Sequence, residues 1–94
     1  MNLIVSTKIR SKLAEKHGVT VDEIEECFAN CTGPTLLELR ERHKTDPPSE
    51  WFIATTNYGK RLKVIFVKKS GRFFLKSAFP PNEEEENIYE KYCP

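Results

Sequence analysis

A chain of 94 residues supplies one modest hydrophobic core, and residues 1–94 read as a single domain. Apolar content of 38% with charged content of 31% fits a soluble globular protein, and no apolar run approaches the roughly 18 to 20 residues that span a bilayer. The net charge of +1 conceals two opposed blocks: Lys60, Arg61, Lys63, Lys68, Lys69, Arg72 and Lys76 with no acid among them, then Glu83–Glu86 and Glu90.

The amino end, Met1-Asn2-Leu3-Ile4-Val5-Ser6, has too few consecutive apolar residues for a secretory h-region, so a cytoplasmic location is expected. From Ser6 to His17 the spacing predicts a helix, with Ile9 and Leu13 at i, i+4 and Lys8, Arg10, Lys12, Glu15 and Lys16 around the rest; Gly18 supplies the left-handed stop. Thr20-Val21-Asp22-Glu23 has the form of a capping box. It opens a second helix whose Ile24, Cys27, Phe28 and Cys31 form one apolar stripe, with Glu25 and Glu26 outside.

Beyond Gly33-Pro34 the periodicity changes. Thr35 to Arg42 reads as strand, Thr45 to Ser49 as a loop, and Trp51 to Thr56 as strand. Asn57 to Lys60 makes a turn, Leu62 to Val67 a strand, Lys69 to Gly71 a turn and Arg72 to Phe79 a strand. In the first of these hairpin strands Leu62, Val64 and Phe66 share one face; in the second, strict alternation sets Phe73, Leu75 and Ser77 against Phe74, Lys76 and Ala78. Pro80-Pro81 ends the ladder. Asn82 is then placed to cap a final helix, whose first turn carries Glu83–Glu85 where the dipole favours negative charge. The expected fold is α+β: two N-terminal helices, a four-stranded antiparallel sheet and a C-terminal helix.

Cys27, Cys31 and Cys93 are an odd number, and the first two share a helix, so they do not make a disulfide framework. His17 and His43 lack zinc-site spacing. No metal and no cofactor are expected. Arg40, Arg42, His43 and Lys44 crowd the entry to the Thr45–Ser49 loop, which makes His43 the histidine best placed for general acid or base work beside cations.

Lys16-His17-Gly18-Val19 with Glu23 and Phe28, then Gly59-Lys60-Arg61-Leu62 with Val64 and Phe66, then Ser77-Ala78 followed by Glu85 and Tyr89, together resemble the BrnT-type ribonuclease toxins of the RelE/ParE superfamily, in order and spacing over nearly the whole chain. The resemblance implies a RelE/ParE-like sheet that grips messenger RNA and cleaves it without metal, and a ribbon-helix-helix antitoxin as partner. Cleavage of that kind aligns a 2′-hydroxyl on the adjacent phosphate, with basic side chains stabilising the transition state. Lys60 takes the matched turn position, and with His43 and Lys76 it forms the expected catalytic set. Arg42, Lys44, Arg61, Lys63 and Arg72 are the expected phosphate contacts. The family pattern places arginines where this chain has Phe74 and Phe79. Those two rings either offer base-stacking platforms of the kind that hold single-stranded RNA or fill the core between sheet and helix. A non-catalytic module that keeps the toxin fold and binds RNA or protein is the alternative reading.

Overall fold

The computed structural model describes residues 2–38 and 47–92. It opens with a short strand, β1 (Leu3–Ile4), and the Ser6 side chain then accepts from the Ile9 amide at 3.2 Å to start α1 (Thr7–Lys12). The last turn of α1 widens to π-helical winding over Leu13–His17 and stops at Gly18, whose φ of 62° only a glycine adopts without penalty. The capping box of Thr20 and Glu23 forms as the sequence predicts, with reciprocal bonds of 3.2 and 2.9 Å, and begins α2 (Val21–Asn30). After β2 (Leu36–Leu37), the strands β3 (Ser49–Thr55), β4 (Arg61–Lys69) and β5 (Arg72–Phe79) form a meander, and α3 (Glu83–Tyr92) closes the fold. Of the predicted strand from Thr35 to Arg42, only Leu36–Leu37 is strand among the described residues.

The architecture is α+β, and one expectation is corrected. The sheet has five strands in the order β1-β5-β4-β3-β2 and is mixed, because β1 runs parallel to β5 with Leu3 opposite Phe73 and Ile4 opposite Phe74. Two residues are too few for an alternating pattern to register. The β4–β5 turn is tight: Ser70 and Gly71 both have positive φ (53° and 75°), the geometry that matches the twist of a two-residue hairpin.

A second correction concerns β5. Ile65 faces Ser77, but the next residue, Phe66, faces Leu75, so Lys76 is the extra residue of a β-bulge. The bulge resets the alternation. Leu75 and Ala78, not Leu75 and Ser77, share the helix-covered face with Val64 and Phe66, and both are buried. Burial drives this choice, because an in-phase strand would have put Ser77 into the core and Ala78 out of it.

On that face α2 packs its predicted stripe, with Ile24 and Cys27 fully buried. Phe28 is the hub: its ring lies 4.9 Å from Phe52, 5.4 Å from Phe66 and 5.7 Å from Phe73, edge-on or tilted as aromatic quadrupoles prefer. Polar ties fix α2 to the β3–β4 turn. Asn30 donates to the Thr55 carbonyl at 2.8 Å and to Asn57 Oδ1 at 3.0 Å, and the Asn57 amide donates to Glu26 at 2.8 Å. The opposite face of β3 and β4 is covered by α3, which makes the sheet the middle of three layers.

Candidate functional site

Apart from Lys91 on α3, the described cations fall into two populations, set by which element lies above each. Lys60, in the β3–β4 turn, donates to the Gly18 carbonyl at 2.7 Å and pairs with Glu23 at 3.4 Å, so it fastens the turn to the start of α2. Arg61, the first residue of β4, forms a forked contact with Glu86 of α3, with Nε 2.8 Å from Oε2 and Nη2 2.8 Å from Oε1, while Nη1 reaches Thr55 Oγ1 at 3.3 Å. Those hydrogen bonds donated to Glu86 hold the guanidinium pKa above its ordinary value.

Lys63 is buried. Alternation along β4 turns it away from Val64, and α3 lies over it, so its ammonium meets Glu85 Oε2 at 2.6 Å and sits 4.5 Å above the Trp51 ring. Glu85 is itself held in a second capping box, accepting from the Asn82 amide at 3.0 Å while its own amide donates to Asn82 Oδ1 at 2.7 Å. Asn82 therefore caps α3 as predicted. Tyr89 completes the seat, donating to the Pro34 carbonyl at 2.9 Å with its ring 5.8 Å from Trp51.

The second population faces solvent. Lys68, Lys69 and Arg72 flank the β4–β5 turn, and Lys76 stands on the bulge; all four are exposed, and none makes an ion pair with a described residue. Helix α1 and the π-helical turn that continues it pack against β5 and carry Lys8, Arg10, Lys12 and Lys16, also exposed, with Glu15 as their one acid. Two elements that pack together, the first helix and β5 with its turn to β4, thus carry eight exposed cations from two segments that the sequence separates by about half its length.

Phe74 is half-buried between Val67 and Ile4 in the ladder. Phe79, also half-buried, lies 5.6 Å from the His17 ring and 5.7 Å from the Lys63 ammonium, at the junction of the exposed edge with the ground under α3. Arg42, His43 and Lys44 fall outside the described residues. The structure therefore brings Lys76, Arg72, Phe74 and Phe79 onto β5, while Lys60, Arg61 and Lys63 face glutamates, with Phe79 the β5 residue that reaches Lys63.

Two clefts flank α3. One, of about 670 Å³, is lined by Asn30, Thr55, Asn57, Arg61 and Glu86 among others; the other, of about 740 Å³, by Leu37, Trp51, Lys63, Ile88 and Tyr92 among others. Among the described residues no cluster of three or more His, Cys, Asp or Glu is arranged to hold a metal ion, and no helix is long and apolar enough to cross a membrane. Sequence reasoning missed Glu85 and Glu86 as partners of Lys63 and Arg61. The signal was present in Trp51-Phe52-Ile53-Ala54, a continuous apolar run that marks a strand covered on both faces. No protein-family model matches the chain, and no curated protein matches it.

Proposed function

We propose that this protein is a toxin-like RNA-binding domain that holds single-stranded RNA along its α1–β5 edge, with binding rather than cleavage as the activity its described residues favour. The observation that carries this reading is the partition of the cations. Lys60, Arg61 and Lys63 oppose Glu23, Glu86 and Glu85, whereas the eight cations of α1 with its π-helical turn, the end of β4 and β5 are exposed and make no ion pair with a described residue. Unpaired surface cations release counterions when they meet phosphates, which is the sequence-independent source of nucleic-acid affinity. Phe74 and Phe79, on the same strand, supply aromatic surface for unstacked bases. Stabilising a reacting phosphate requires cations aimed at it; of the expected catalytic set, Lys60 is committed to Gly18 and Glu23, and His43 lies outside the described residues.

One observation favours a second reading, a metal-independent endoribonuclease toxin neutralised by a ribbon-helix-helix antitoxin. Lys76 stands on a β-bulge, a feature that re-aims side chains and recurs beside active sites. Inducing the protein alone in bacterial cells and following growth and total RNA separates the two. Binding without cleavage predicts intact RNA together with a gel shift of single-stranded RNA by the purified protein. Fragmented RNA that Lys76→Ala abolishes would favour the toxin reading, and absence of any shift at low salt would overturn RNA binding at the α1–β5 edge.

A further inference from the structure

The seat of α3 is held by charge more than by apolar contact. Among its described residues only Tyr89 is buried, while Ile88 and Tyr92 remain 40% and 58% exposed. A helix fixed by the hydrophobic effect would turn such residues inward. Instead Glu85 and Glu86 reach down to Lys63 and Arg61. Both contacts are of a kind that a phosphate makes equally well, because guanidinium forks and ammonium groups accept either anion.

We propose that α3 is a built-in acidic cover: Glu85 and Glu86 stand in for RNA phosphates on Arg61 and Lys63, and RNA displaces α3 to reach this second strip of the surface. The inference rests on the RNA-binding reading above and names its regulation. Continuity supports it. Phe79 touches His17 of α1 on one side and the Lys63 ammonium on the other, so a strand lying on the exposed edge runs onto the covered strip without a gap. Trp51, beneath Tyr89 at 5.8 Å, becomes a stacking platform when the helix lifts. The exchange also avoids the expensive state. Lys63 is 3% exposed, and a buried charge left without a partner is what makes breaking such a pair unfavourable. Replacing carboxylate by phosphate keeps it paired, so opening sacrifices mainly the burial of Tyr89 and its bond to the Pro34 carbonyl.

The test uses the full chain and a short fluorescent oligouridine as probe. Glu85→Gln/Glu86→Gln is compared with Glu83→Gln/Glu84→Gln, which changes net charge equally but at exposed positions outside these ion pairs. Glutamine at 85 retains the acceptor for the Asn82 amide. The expected result is affinity roughly tenfold tighter for the first variant than for the second, equivalent to about 1.4 kcal/mol. In the wild type, saturating RNA should also speed amide exchange in α3 while β3 and β4 stay protected. Equal affinities with unchanged α3 exchange would overturn the cover; if Lys68→Gln/Lys69→Gln/Arg72→Gln still weakened binding, the edge reading would stand. Binding by Glu85→Gln/Glu86→Gln but not by the wild type would support the cover and overturn the edge. Binding by neither would overturn both.

Discussion

Replacing Glu85 by alanine strands the Lys63 ammonium. That group is 3% exposed and has its carboxylate partner at 2.6 Å, with the Trp51 ring 4.5 Å away. Breaking a buried pair from one side costs roughly 3–5 kcal/mol; Glu85 retains 18% exposure, which places this case near the lower end, at about 3 kcal/mol. Loss of the capping contact to the Asn82 amide adds about 1 kcal/mol. For a chain of this size the sum lowers Tm by more than about 15 °C. Trp51 is the only tryptophan and lies under α3, so its fluorescence during urea unfolding reads the loss directly. Lys63→Met should remove most of the penalty, giving a coupling of about 2 kcal/mol or more in the double-mutant cycle. A loss from Glu85→Ala below about 1 kcal/mol, or the same loss in the Lys63→Met background, would refute the ion pair as the anchor of α3.

Three further outcomes follow from local geometry. Gly18→Ala meets no atom within 4 Å at its new Cβ but must hold φ at 62°, so it should destabilise by roughly 1–2 kcal/mol through the backbone alone, and urea midpoints should show Gly18→Asn intermediate. Glu23 is held below the usual carboxylate value of 4.5, first by the Thr20 amide and also by Lys60. A lowered folded-state pKa contributes stability above the unfolded value and loses it as pH falls through the folded one. The gap in urea midpoint between wild type and Glu23→Gln should therefore be full near neutrality and close in acid; a gap independent of pH would remove the charge from the explanation. Burial pushes the Cys27 thiol up to about 11, so alkylation of the native protein should modify the half-buried Cys31 and spare Cys27. Equal labelling of the two by mass spectrometry would contradict the packing of α2.

Local chemistry was the most legible part of the sequence. The Thr20–Glu23 capping box and the Asn82 N-cap need only residues within one turn, and the Leu62, Val64 and Phe66 face follows from an unbroken period of two. What escaped was set by partners distant in the chain. Strand β1 exists because Phe73 and Phe74 offer it a ladder. The bulge at Lys76 exists because Ala78, not Ser77, fits against Val64, and a two-residue period has no way to announce a skipped residue. Lys63 stands in a run of cations with no acid beside it in sequence; α3 covers it and supplies the glutamate. Of the candidate interface, the basic residues of β4 and β5 were legible as a run. That α1 joins them on one edge, and that glutamates hold Lys60, Arg61 and Lys63, required the fold.

The most direct measurement is fluorescence anisotropy of a labelled single-stranded RNA titrated with wild type and with Lys68→Gln/Lys69→Gln/Arg72→Gln over a series of salt concentrations. Phosphate contacts along the α1–β5 edge predict that wild-type affinity falls linearly on a log–log plot. The variant should bind more weakly with a slope shallower by about 2, since each contact to a single strand contributes about 0.7. An unchanged slope in a variant that melts like the wild type, or no binding by the wild type at low salt, would contradict RNA binding at this edge.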